Sequence, residues 1–152
     1  MGKRHRLERL CVIPAPASRV FEFFSAAENL EALTPPFLGF RILTPLPIEM
    51  KQGRLIEYRI SLGGLPMRWL TEITDWSPNQ RFVDLQLRGP YRYWHHLHEF
   101  REVPGGTEMR DVVDYELPLG PLGSLAHALL VKRMLQRIFD YRTQAIQTAF
   151  PT

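Results

Sequence analysis

Apolar and polar residues alternate with a period of two through the middle of this chain and with a period near 3.6 over its last stretch. Arg6 to Ile13 reads as a first strand, ended by Pro14 and Pro16. Ser18 is placed to cap a short helix in which Val20, Phe21 and Phe24 share a face. Ala26 to Leu33 continues as a second short helix, with Leu30 and Leu33 on one side. Thr34-Pro35-Pro36 stops it, because proline cannot continue a helix and restricts the residue before it.

Strand-like runs separated by turn residues follow. Gly39 to Leu43 is short and bounded by Pro45 and Pro47. Arg54 to Leu62 places Ile56, Tyr58, Ile60 and Leu62 on one face, and Gly63-Gly64 turns it back. Met67 to Trp76 sets Met67, Trp69, Thr71 and Ile73 opposite Arg68 and Glu72. In Arg81 to Arg88 the alternation predicts Val83, Leu85 and Leu87 inward, with Asp84 and Gln86 outward. Pro104-Gly105-Gly106 leads from the next strand into the last one, Thr107 to Leu117. Sequential hairpins favour an antiparallel meander with one buried face.

The strand Trp94 to Phe100 is the unusual one. Its period of two puts Trp94, His96, His98 and Phe100 on one face and His95, Leu97, Glu99 and Arg101 on the more charged other. Buried imidazoles need hydrogen-bond partners, and desolvation makes their protonated form expensive. A loop of two or four residues around Pro104-Gly105 gives one pairing: Phe100 with Met109, His98 with Asp111, His96 with Val113, Trp94 with Tyr115. A three-residue loop would break it. Opposed side chains lie about 4.5–5.5 Å apart at Cβ, so Asp111 is placed to fix the tautomer of His98 and raise its pKa.

After Pro118 to Gly123 a long helix is predicted, about Leu125 to Ala149. Val131, Met134, Leu135, Ile138, Tyr141, Ala145 and Ala149 gather on one side, and Arg142 falls in the middle of that apolar stripe. A guanidinium cannot readily shed its charge, so burial there demands a carboxylate or several carbonyls. These elements make an α+β domain spanning residues 1–152: a seven-stranded antiparallel sheet, two short helices after strand one, and a long C-terminal helix gripped by the sheet.

Composition narrows the class. Cys11 stands alone, which excludes an intrachain disulfide and a thiolate metal cluster and fits a reducing cytoplasm. The apolar run from Leu10 to Ala17 is broken by Pro14 and Pro16, unlike a signal peptide. No run approaches the roughly 20 apolar residues that span a bilayer, so no integral membrane association is expected. Net charge is +3 with scattered arginines rather than a basic stripe, which disfavours nucleic acid as a partner.

Several runs resemble a known family. They are Gly53-x-x-Ile56-x-Tyr58, Pro66-x-x-Trp69, and Phe82-Val83-Asp84-x-Gln86-x-x-Gly89-Pro90-Tyr91. With them go Trp94-x-His96-x-His98-x-Phe100, Gly106-Thr107-x-Met109-x-Asp111-x-Val113-x-Tyr115-x-Leu117-Pro118 and Ile138-Phe139-Asp140-Tyr141-Arg142. Over essentially the whole chain they are similar to the START-like SRPBCC superfamily, in its bacterial ligand-binding or polyketide cyclase/dehydrase-like branch. The resemblance implies the helix-grip fold around a hydrophobic cavity. It does not imply one chemistry, since the superfamily includes lipid carriers, hormone receptors and aromatase/cyclases.

The expected ligand is therefore a small hydrophobic, amphipathic or aromatic molecule. Tyr58, Trp69, Trp94, Tyr115 and Ile138 are expected to line the pocket with Phe100, and His96, His98, Asp111 and Arg142 to read a polar group. The alternative is a cyclase or dehydratase in which His98, oriented by Asp111, moves a proton at a substrate carbonyl. The bland reading is an internal hydrogen-bond network that sets strand register, with Arg142 paired to Asp111 or Glu72. Two imidazoles and a carboxylate would suit Zn²⁺, but nothing outside the hairpin supplies another ligand, so no metal and no cofactor is expected. A homodimer is left open.

Overall fold

The computed structural model describes residues 3–152. Strand β1 (Arg4–Ile13) is followed by helix α1 (Ala17–Ser25) and two 3₁₀ turns, Ala27–Leu30 and Pro36–Leu38. Then come β2 (Arg41–Ile42), β3 (Leu55–Leu62), β4 (Leu65–Ser77), β5 (Arg81–Arg88), β6 (Tyr93–Val103) and β7 (Gly106–Glu116). Helix α2 (Gly120–Ala126) runs through a π-helical turn (His127–Val131) into α3 (Lys132–Ala149). The sheet is seven-stranded, in the order β1-β7-β6-β5-β4-β3-β2. Every pairing is antiparallel. This is the helix-grip architecture, with β1 returning to pair with the last strand.

Local chemistry explains where elements are shorter than the pattern predicts. Helix α1 begins after Pro16 with no side-chain cap, so Ser18 lies inside its first turn. The second short helix is only a 3₁₀ turn, because the Asn29 amide donates to the Phe23 carbonyl and Thr34 to that of Leu30, closing local loops. Strand β2 keeps two residues. Pro45 and Pro47 beyond it lack the N–H a longer ladder needs.

The long helix starts earlier than expected, with proline in its first turn. On α3 the buried residues are Leu135, Phe139, Arg142 and Ile146, so Arg142 does face the sheet. The interior divides in two. Phe21, Phe24, Phe82, Phe100, Met109 and Ile146 pack beneath α1, and Ile60, Trp69, Trp94, Tyr115, Leu135 and Phe139 pack beneath α3.

Gly106, at the turn that fixes the β6–β7 register, has φ +153°, and a Cβ there would stand 2.0 Å from the Ile13 carbonyl oxygen. Gly106→Ala is expected to destabilise the fold by about 2 kcal/mol or more, since backbone would have to move. Urea denaturation measures it, and a cost within error of zero would contradict this account of the turn.

Candidate functional site

The β6–β7 register is the predicted one: Trp94 opposes Tyr115, His96 Val113, His98 Asp111, and Phe100 Met109. On the other side of β6, Asp84 opposes His96 and Phe82 opposes His98. The shortest contacts then run diagonally. His96 donates Nε2–H to Asp111 Oδ1 at 2.8 Å, and His98 donates Nε2–H to Asp84 Oδ2 at 2.7 Å. Nδ1 of His98 lies 3.3 Å from Asp111 Oδ1. Arg142 reaches in from α3 and donates Nη2–H to the same oxygen at 3.3 Å. The two imidazoles stack at 3.7 Å, and Phe82 covers the outer face of His98 at 4.1 Å. All of these groups but the partly covered Asp84 are buried.

The protonation pattern follows from this geometry. Burial disfavours the His98 imidazolium, but carboxylates at both ring nitrogens outweigh it and raise the pKa. Burial and the neighbouring His98 charge lower that of His96, which is therefore neutral, with Nε2 protonated and Nδ1 carrying a lone pair. Burial works against ionised Asp111, but Arg142 and both histidines overcome it and hold the carboxyl well below the usual range. Asp84 is lowered in the same way by His98, His96 and Arg142 acting against burial. Two carboxylates face the Arg142 guanidinium and a His98 ring whose pKa is raised, which brings the cluster toward charge balance. That balance makes so dense a buried cluster tolerable.

The cluster forms the polar end of a cavity of about 160 Å³ between the sheet and α3. An engineered apolar cavity of roughly that size holds benzene. Of the predicted site residues Tyr58, Trp69, Trp94, His96, His98, Ile138 and Arg142 line it; Asp84, Tyr91 and Phe139 do so as well. Tyr58 stacks beside Trp69 at 5.7 Å and 20°, and Trp94 stands edge-on to Trp69 at 5.3 Å. Burial and then Asp84 push the Tyr58 phenol well up, so it stays protonated. Trp69 Nε1 is buried with no hydrogen-bond partner among the described residues.

Three expectations are corrected. Phe100 does not line the cavity, because α1 covers it with Phe21 and Phe24 at 5.3 and 5.9 Å. Tyr115 lies off the lining too, its hydroxyl 2.7 Å from Nε2 of His127 on the π turn. Asp111 sits behind the histidines and faces a second pocket, lined by Arg9, Cys11, Arg142 and Thr143 among others. Arg142 lies between the two pockets.

Asp84 is the residue that periodicity misplaced. Phe82, Asp84 and Gln86 form the inner face of β5, and Leu87 is on the open side. A one-residue error in strand parity exchanges every side chain, and the three aliphatic residues outvoted the one phenyl ring. Phe82 was the usable signal, as the largest apolar group on the strand.

Asp84, His96 and His98 each bring one donor atom within 4.8 Å of the others, which is metal-ligand spacing. An ion there would have to displace the His98 Nε2 proton, which Asp84 Oδ2 already accepts.

A sheet gripping a helix over an apolar hollow with one polar end defines a ligand-cavity protein of the START-like type. A family model described as polyketide cyclase/dehydrase and lipid transport matches residues 13–145, and the chain belongs to that family. Solved structures share the fold at low identity. A Chromobacterium violaceum protein superposes with TM-score 0.71 at 13% identity, covering 98% of this chain and 97% of its own. A START superfamily protein of Mycobacterium smegmatis gives 0.69 at 14%, covering 96% and 97%. The major latex-like protein 151 of Panax ginseng gives 0.67 at 12%, covering 98% and 99%. No curated protein matches the sequence. No helix among the described residues is long and apolar enough to cross a membrane.

Proposed function

We propose that the protein binds, and in the cell carries, a small uncharged aromatic molecule bearing a hydroxyl group, within a reducing cytoplasm. The observation that carries this is a pair of acceptors at the cavity's polar end: His96 Nδ1, 3.8 Å from Asp84 Oδ2. His96 has its proton on the other nitrogen, so no proton lies between the two; Asp84 Oδ2 already accepts from His98, and a ligand O–H would donate to the open His96 Nδ1 beside it. The partnerless Trp69 N–H asks for an acceptor on the same ligand. Arg142 Nη2 is occupied by Asp111, while its Nε, like Trp69 Nε1, is buried without a partner among the described residues. A carboxylate ligand would meet Asp84 first. The reduced, half-buried Cys11 fits the compartment.

The cyclase or dehydratase reading is the weaker one. His98 Nε2 is bonded to Asp84, and its Nδ1 lies between Asp111 and the Arg142 guanidinium, so neither ring nitrogen is free to serve a substrate. Trp69 and Trp94 report occupancy by fluorescence, so 2-naphthol, naphthalene and 2-naphthoate can be compared directly. Naphthol should bind best, and Asp84→Ala should weaken it roughly tenfold or more while leaving naphthalene unchanged. Tighter binding of naphthoate, or no binding of any of the three, would overturn the proposal.

A further inference from the structure

The segment that leads into the cavity-lining helix is apolar and uncovered. Leu119, Leu122, Leu125, Leu129 and Leu130 are each between 57% and 75% exposed, in a chain whose other large apolar residues are mostly inside. Within α2 only Gly123 is buried, and within the π turn nothing is. A segment that exposes five leucines to water needs a reason, because contiguous apolar surface of this kind marks an interaction site.

Charge indicates what covers it. From Leu117 to Phe139 the chain contains no aspartate or glutamate, while Lys132, Arg133 and Arg137 follow directly on the leucines. Lys132 and Arg133 lie three and four residues after Leu129, so they extend the same side of the helix by one turn. Both are exposed. Arg137 lies over the ring of Phe37 at 4.8 Å, and Phe37 is itself an exposed aromatic. Phe37 adjoins Leu38, and Arg137 adjoins Ile138; Leu38 and Ile138 both line the cavity. Arg137 and the exposed phenyl ring therefore border the cavity, one to two turns beyond the leucines.

We infer that this face docks on an anionic lipid surface, the leucines of α2 and the π turn entering the acyl boundary while Lys132 and Arg133 meet the headgroups. Leucines on one side and basic residues without acidic neighbours are the composition of an interfacial helix. A second copy of the chain would fit less well, because a twofold contact would bring each protomer's cations against those of its partner. The inference does not depend on the identity of the cavity ligand.

Flotation with vesicles tests it. The protein should float with phosphatidylglycerol-containing vesicles and much less with pure phosphatidylcholine, and added salt should weaken the association. Removing one cation should cost roughly fivefold in partitioning, so Lys132→Glu with Arg133→Glu should abolish flotation. Leu122→Gln, Leu125→Gln and Leu129→Gln together should lower it roughly a hundredfold. All these positions are exposed, so the variants should keep the parent's melting temperature and circular dichroism. Absence of flotation with anionic vesicles overturns the inference, as does flotation that the leucine variant retains. A concentration-dependent dimer that the leucine variant loses, without vesicle binding, assigns the face to a second copy instead. Naphthol binding is read separately and is expected to be unchanged in every variant.

Discussion

Replacing Arg142 with methionine is expected to cost about 3 kcal/mol or more of folding stability, among the largest losses any single substitution in this chain can produce. The guanidinium is the fixed positive charge of a buried cluster that also holds Asp84, Asp111, His96 and His98. Without it Asp111 remains ionised in the interior with only imidazoles for partners, and the leftover carboxylate is what makes one-sided removal costly. Arg142 also covers the ring of Phe24 at 5.1 Å, so its stem packs as well as its head. Methionine keeps most of that packing, which isolates the charge. Asp111→Asn combined with Arg142→Met removes the stranded charge, and the double variant should be more stable than Arg142→Met alone. Urea midpoints of the four proteins close the cycle. A loss below about 1 kcal/mol for Arg142→Met, or strict additivity in the double variant, would show that the pair is not coupled as described.

Much of this cluster was legible before any coordinates, and the part that was not has a definite cause. Inward His96 and His98 followed from the two-residue period of β6, and their register against β7 followed from the hairpin's loop length. Arg142 stood out as a cation in an apolar helical stripe that needs a carboxylate, with Asp111 and Glu72 both open as partner, and the structure pairs it with Asp111. Periodicity could not reveal which carboxylate each imidazole prefers. The strand pairing sets Asp111 opposite His98, yet the shorter bond goes to His96, whose ring is stacked on that of His98. The cavity lining was legible wherever a strand had one clearly apolar face, as β3 does with Tyr58 and β4 with Trp69. It failed at Phe100 and Tyr115. Both lie inward, but what an inward residue meets depends on where α1 and the π turn cross the sheet, and no period encodes that crossing.

Acidification should unfold the protein along a steep limb below about pH 4. Asp84 and Asp111 both have folded-state pKa values below their unfolded ones, Asp111 well below. Above the unfolded value of about 3.9 their contribution is complete, and it is lost as pH falls toward the folded values, because the unfolded chain takes up protons first. Two carboxylates titrating together give a slope of at most about 2.7 kcal/mol per pH unit. The imidazoles act elsewhere and against each other. His98, raised, contributes fully below about pH 6.5 and loses that contribution as pH rises through its folded value. His96, lowered, does the reverse, so its unfolded form gains a proton first as pH falls through about 6.5. Of the other groups near the cluster, burial raises the Cys11 thiol and the Tyr58 phenol, so neither titrates in acid. Urea midpoints between pH 6 and pH 2.5 should therefore fall most steeply over the lowest part of the range. In the Asp111→Asn, Arg142→Met background roughly half of that slope should vanish, leaving Asp84 to carry the rest. An unchanged acid limb in that background would move the acid sensitivity out of the cavity and onto surface pairs such as Arg6–Asp114.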